Sequence, residues 1–302
     1  MLSLWPRFRG SRDHMPRGHA WGLLLTASAS VLCACGGTHD TSAPPSATGG
    51  SGSFSVTSDL ATANEAASYS TRASFSPAAL SCASTTIGLC QINPCSGASP
   101  AQSSPIPNAG PIRVSGAQMA SLSIQPAGGG TYAAMDVAGQ PAWSTGGESV
   151  MFAWAHAPED TTVAGGQVMM LTPPYVTLSE GSAFATPTST LVRSQDLTLT
   201  WTTVTQPTEY DFVKINLSGP VGAAGTSTSV GCRFPASAGR GVIPADALKP
   251  LGAGQGSYDV HSQESQSETV EDSNGSAWTF GFNLNAHALT SSGAATGSIT
   301  FQ

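Results

Sequence analysis

Residues 196–202 read DLTLTWT, an unbroken alternation of apolar and polar side chains. Successive side chains of an extended strand point to opposite faces, so Leu197, Leu199 and Trp201 share one face and the threonines the other. A helical period near 3.6 would scatter the same residues around an axis. The alternation recurs outward from here. Residues 210–217 set Val213, Ile215 and Leu217 together, and residues 276–284 (SAWTFGFNL) set Trp278, Phe280, Phe282 and Leu284 together. Residues 150–155 and 175–179 predict further strands, with shorter candidates at 112–115, 120–125, 132–137, 167–171, 228–234, 256–262 and 297–301. Helix is predicted only at 60–69 (LATANEAASY) and for one turn at 244–248, which Pro250 stops.

Strands with one apolar face need a second sheet to cover it. The 34 Gly and 21 Pro suit many turns and few helices. The expected fold class is therefore all-β, an antiparallel β-sandwich. LTLTW at 197–201 followed by YDFVKINL at 210–217 resembles immunoglobulin and fibronectin type III modules: a Trp on one strand faces an aliphatic strand. The resemblance covers about a third of the chain and implies a binding or spacer module over 187–302 without site residues of its own. The conserved immunoglobulin disulfide is not recognisable.

The start of the chain has a different character. Arg7, Arg9, Arg12 and Arg17 make a basic region, followed by the uncharged run WGLLLTASASVL at 21–32. That run is too short to span a hydrocarbon core, which takes ~20 residues, and it suits a signal-peptide core. Met15 serves as well as Met1 for a start, since MPRGHAW carries basic residues of its own. Leu32-Cys33-Ala34-Cys35 resembles the bacterial lipobox, with Cys35 as the modified residue. The resemblance implies cleavage before Cys35, a diacylglyceryl thioether on its sulfur, and anchoring to a lipid bilayer through those acyl chains. Gly36 follows the cysteine, which by the same analogy implies the outer membrane. Residues 36–52 (GGTHDTSAPPSATGGSG) show no apolar periodicity and are expected to form a flexible tether. The resulting division is leader 1–34, lipidated tether 35–52, cysteine-containing arm 53–103, β region 104–186 and β-sandwich 187–302.

Charge narrows the partners. Only 10% of the residues are charged, and the formal net charge is −7. Residues 35–302 keep 7 bases against 17 acids, a charge of −10. A chain this acidic has no electrostatic footing on a phosphate backbone, which excludes nucleic acid as an expected partner. A protein or glycan ligand remains open.

Four cysteines remain beyond Cys35: Cys82, Cys90, Cys95 and Cys232. An even count in an exported chain predicts two disulfides, with the pairing open. Their spacing does not match paired zinc knuckles.

Catalytic motifs are scarce. There is no G-x-S-x-G elbow, no phosphate-binding glycine loop and no cofactor signature. His156 beside Glu159 and Asp160 is a possible half of a catalytic pair, read more simply as a loop histidine beside solvated acids. Asp259, Glu264, Glu268, Glu271 and Asp272 cluster without a base. They lack a compact calcium loop and are expected in a solvent-facing hairpin or mobile loop. Trp143, in the turn-like GQPAWSTGG, is the candidate for stacking on a ligand if exposed, and otherwise folds over the sandwich edge. The expected function is a non-catalytic binding or spacer role on a membrane-anchored exported lipoprotein. The alternatives are a secreted hydrolase with an unfamiliar site and a carbohydrate-binding module.

Overall fold

In the computed structural model, the residues described are 48–77, 84–93, 109–128, 130–155, 165–180, 183–184, 188–222, 227–271 and 277–302. Their strands are, in chain order, β1 (Thr48–Asp59), β2 (Ser68–Pro77), β3 (Thr85–Ile87), β4 (Cys90–Asn93), β5 (Ile112–Gly116), β6 (Met119–Ile124), β7 (Pro126–Gly128) and β8 (Thr131–Tyr132). There follow β9 (Met135–Ala138), β10 (Ser149–Trp154), β11 (Gly166–Leu171), β12 (Val176–Leu178), β13 (Thr188–Leu191), β14 (Leu197–Thr203), β15 (Phe212–Ser218) and β16 (Ser229–Pro235). The last are β17 (Arg240–Ile243), β18 (Gly254–Glu271), β19 (Ala277–His287), β20 (Leu289–Thr290), β21 (Gly293–Ala294) and β22 (Thr296–Phe301), with one helical turn, α1 (Ala245–Leu248).

The fold is all-β. One long sheet runs β3-β4-β16-β15-β18-β19-β1-β2-β8-β7, with β22, β13 and β9 joined at its sides. Two smaller sheets, β11-β10-β5-β6 and β17-β14-β12-β20-β21, share cores with it. In the first core, Phe54 and Val56 of β1 and Phe280 and Phe282 of β19 meet Val114 of β5 and Phe152 of β10. Phe282 stacks on Phe54 with centroids 4.9 Å apart, and Phe280 meets Phe54, Phe75 and Trp154 edge-on. Such aromatic pairs add ~0.5–1.5 kcal/mol each beyond the area they bury. In the second core, Val213, Ile215 and Leu217 of β15 meet Leu199 and Trp201 of β14. The alternation in DLTLTWT is thus realised as β14, with Leu197, Leu199 and Trp201 all buried.

β18 joins the two cores. One edge of this strand pairs with β15 over 257–263; the other pairs with β22 over 254–259 and then with β19 over 261–271. The cores therefore do not part the chain at 187. Residues 278–286 lie in the core built mainly by residues 54–175, while Cys90 and Ile92 lie in the core of the C-terminal strands. Most pairings are antiparallel, as expected, but β1 with β19, β12 with β20 and β13 with β22 run parallel.

Two other expectations change. Residues 60–67 form no helix: the segment is an irregular connection in which Thr62 Oγ1 accepts from the amides of Asn64 and Glu65, and residues 68–69 already belong to β2. Hydroxyl capping of local amides competes with helix here. The tether also ends earlier than its composition suggests, because residues 48–52 belong to β1. Gly52 is buried, and a Cβ built on it would stand 2.8 Å from Phe280 and 2.9 Å from Phe75. The glycine that reads as flexible is a strand position where two rings leave no room for a side chain. The leader, Cys35 and the tether up to 47 lie outside the described residues.

Gly52 separates a strand from a tether experimentally. Gly52→Ala is expected to lower unfolding free energy by ~1–3 kcal/mol through overpacking, read by denaturant melts. An unchanged midpoint would place residues 48–52 in a loose tether after all.

Candidate functional site

The alternation that buries one face of the long sheet fixes what the other face carries. On β18 the residues opposite Tyr258 and Val260 are Asp259, His261 and Gln263; on β19 those opposite the aromatic row are Asn283, Asn285 and His287. β1 adds Ser53, Ser55, Thr57 and Asp59, and β15 adds Lys214 and Asn216. The outcome is a face of amides, hydroxyls and a few charges. Gln263 Nε2 bridges Asn283 Oδ1 and Asn285 Oδ1 at 3.3 and 3.0 Å, tying β18 to β19 across this face.

At the place where β22 gives way to β19 along β18, four titratable side chains form a chain. Asp59 Oδ1 lies 2.5 Å from His287 Nδ1, His287 Nε2 lies 3.1 Å from Asp259 Oδ1, and Asp259 Oδ2 lies 2.8 Å from His261 Nδ1. Asn216 Nδ2 donates to Asp259 at 3.3 Å, and Ser68 Oγ donates to Asp59 at 3.2 Å. Burial by itself would discharge His287, but the carboxylates of Asp259 and Asp59 on either side outweigh it and raise its pKa to about 10. Burial likewise opposes the charge on Asp259, yet the two histidines hold its carboxyl well below the usual carboxylate range. Both ring nitrogens of His287 face carboxylates, and His261 Nε2 is buried without a hydrogen-bond partner. The chain is thus built as an ionic clamp across β1, β18 and β19 rather than as an open acid–base pair.

Beside the clamp lies a shallow groove of about 710 Å³. Its floor is β4, β16 and β15, and its lining includes Gln91, Asn93, Phe212, Lys214, Asn216 and Arg233. The floor is stapled from beneath: Cys90 and Cys232 are opposed across β4 and β16, disulfide-bonded, and buried in the core below the groove. Arg233 lies 3.7 Å above the Phe212 ring and donates to Ser265 Oγ at 3.0 Å. Burial pushes Lys214 down, with Asp259 opposing the shift.

The acids of residues 259–272 have different fates. Glu268 and Glu271 do lie exposed on the antiparallel pair of β18 and β19, as a solvent-facing hairpin predicts, but in a continuous strand of 18 residues rather than a loop. Nor is the cluster without a base, since Asp259 holds two histidines. Alternation sends Glu264 to the opposite face, where it is 6% exposed with Oε2 unpartnered. There burial and then Asp211 raise its pKa to about 7. Asp272 lies outside the described residues, as do Cys82, Cys95, His156, Glu159 and Asp160. Among the described residues, no three His, Cys, Asp or Glu side chains converge as metal ligands.

Trp143 is placed against the stacking expectation: it is 0% exposed, 5.9 Å from the Tyr175 ring, in the first core. Its loop is folded inward by a buried relay. The Ala142 amide donates to Ser58 Oγ, which lies 2.6 Å from Tyr175 Oη; that hydroxyl donates to the Trp143 carbonyl. Gly146, at φ 111°, lies where a Cβ would meet the Pro174 backbone at 2.6 Å. A glycine-rich stretch reads as an open turn, but here its glycines allow close approach to the core.

The apolar phase of each strand carries no sign of the clamp, which lies on the opposite phase. Asp259 and His261 are two apart, hence neighbours on one strand face, which is a local signal. His287 and Asp59 carry none. Compared with protein-family models and with curated protein sequences, the chain matches none.

The shifts set a pH profile. His287, raised from 6.5, stabilises fully below pH 6.5 and loses that contribution as pH climbs through about 10. Asp259, lowered from 3.8, stabilises above that value and loses its contribution in stronger acid. Glu264, raised from 4.5, favours the fold below pH 4.5 and costs stability as pH passes through about 7. Thermal melts should therefore show falling stability from pH 4.5 to 10. Glu264→Gln should flatten the limb up to about 7 and His287→Gln the limb above 6.5. Parallel profiles for all three proteins would remove the assignment.

Proposed function

We propose that the chain is an exported bacterial lipoprotein, anchored in the outer membrane through acyl chains on Cys35, whose open polar sheet face binds a glycan. The observation that carries the binding reading is the groove over β4, β16 and β15, with amides and cations on a floor stapled by Cys90–Cys232. Amide side chains offer donor and acceptor atoms side by side, which suits sugar hydroxyls. The rigid strands fix their spacing without ordering a loop on binding.

The immunoglobulin or fibronectin type III relationship belongs to the same proposal. Its support is Trp201 on β14, buried in the core shared with Val213, Ile215 and Leu217 of β15. Anchoring is supported by the leader and by Leu32-Cys33-Ala34-Cys35. No helix among the described residues is long and apolar enough to cross a membrane. The hydrolase reading rested on His156, which lies outside the described residues. The two histidines that the structure describes are engaged by carboxylates.

Two measurements test this. Intact mass of membrane-extracted protein should carry acyl mass on Cys35, and Cys35→Ala should move the protein to the soluble fraction; equal membrane retention would refute the anchor. Gly231 lines the groove, and a Cβ there meets only Asn216 Oδ1, at 3.4 Å. Gly231→Trp should keep the wild-type melt but lose glycan-array binding. Unchanged binding would move the site elsewhere.

A further inference from the structure

The ladder of the long sheet aligns four basic side chains in one row. Arg233 of β16 pairs with Lys214 of β15, Lys214 with His261 of β18, and His261 with His287 of β19. Two carboxylates, Asp259 and Asp59, serve this row; both make their close contacts with the histidines, and Asp259 acts on Lys214 only at longer range. At the other end Lys214 and Arg233 stand side by side in the groove. Lys214 Nζ makes no hydrogen bond or ion pair among the described residues. Arg233 is held over the Phe212 ring, and its Nη2 donates to Ser265 Oγ. The carboxylate acting on Arg233 is that of Glu264, which sits on the opposite face of the sheet. Lys214 and Arg233 thus adjoin in the groove of a stretch, residues 35–302, that carries a charge of −10 and only 7 bases.

We propose, resting on the glycan-binding reading above, that the groove selects an acidic saccharide, its carboxylate seated between Lys214 and Arg233 and its hydroxyls on the neighbouring amides of Gln91, Asn93 and Asn216. The Arg233 guanidinium supplies a planar, preoriented fork for a carboxylate, and Lys214 supplies a point charge beside it. The groove volume falls within the range of about 300–1,000 Å³ that small-ligand sites occupy. Its lining favours a saccharide over an acidic peptide. Four amides, Gln91, Asn93, Asn216 and Gln263, stand in the lining to match sugar hydroxyls, and the one aromatic ring, Phe212, is already covered by Arg233.

Calorimetric titration of the full-length purified protein decides the matter with three probes: tetragalacturonate, the neutral maltotetraose, and inorganic phosphate. Tetragalacturonate is expected to bind at least tenfold tighter than maltotetraose, and to weaken severalfold between 50 and 500 mM salt. Lys214→Met and Arg233→Gln should each reduce its affinity about tenfold while leaving the melting profile in place. Should a variant fail to fold, the salt dependence and the acidic-to-neutral ratio of the wild type decide alone. Equal binding of the neutral tetrasaccharide would overturn the acidic preference and leave the glycan reading standing. Phosphate competing as well as tetragalacturonate would overturn the saccharide assignment in favour of a bare anion site. No binding by either saccharide would overturn both readings.

Discussion

The ladder along β18 is the constraint on which the other features depend. Eighteen consecutive residues stay extended, paired on one edge with β15 and on the other with β22 and then β19. Because side chains alternate strictly, this one register assigns every residue of four strands to a face. A slip by a single residue between β18 and β19 would either set His261 and Asp259 against the core or turn the aromatic row of β19 outward. Large apolar burial on one side, at ~25 cal/mol per Å², therefore enforces the arrangement of polar groups on the other.

That coupling explains why the charged clamp sits where it does. Two separate cores meet under the same sheet, and the join lies where β22 ends and β19 begins. At that point Asp59, His287, Asp259 and His261 connect β1, β19 and β18 side by side. A buried ion pair is weak evidence of net stabilisation, since desolvation offsets much of the attraction, but losing one member leaves an uncompensated charge. The disulfide lies at the other end, fixing β4 to β16 beneath the groove.

The apolar phase of the strands was open to reading from local sequence alone. DLTLTWT, residues 210–217 and SAWTFGFNL each present a buried row where alternation puts it, because strand geometry depends only on neighbours two residues apart. The single turn at 244–248 was legible from the prolines that bound it, Pro244 and Pro250, and is α1. The polar phase was legible in part: Asp259 and His261 had to share a face, and the likeness of Leu32-Cys33-Ala34-Cys35 to a lipobox is a linear pattern read from order and spacing.

Tertiary structure alone decided the rest, because it depended on partners distant in the chain. Asp59 and His287 are 228 residues apart, Cys90 and Cys232 are 142 apart, and Lys214 meets Arg233 only through the register of β15 with β16. Composition misled where glycine was involved. Gly52 and Gly146 read as slack, yet each marks a place where a ring or a backbone comes too close for a Cβ. The same ambiguity hid Trp143, whose burial follows from the inward fold of its loop onto Ser58 and Tyr175. Local alternation fixes which residues can face inward together; only the packed sheet fixes which strands are neighbours.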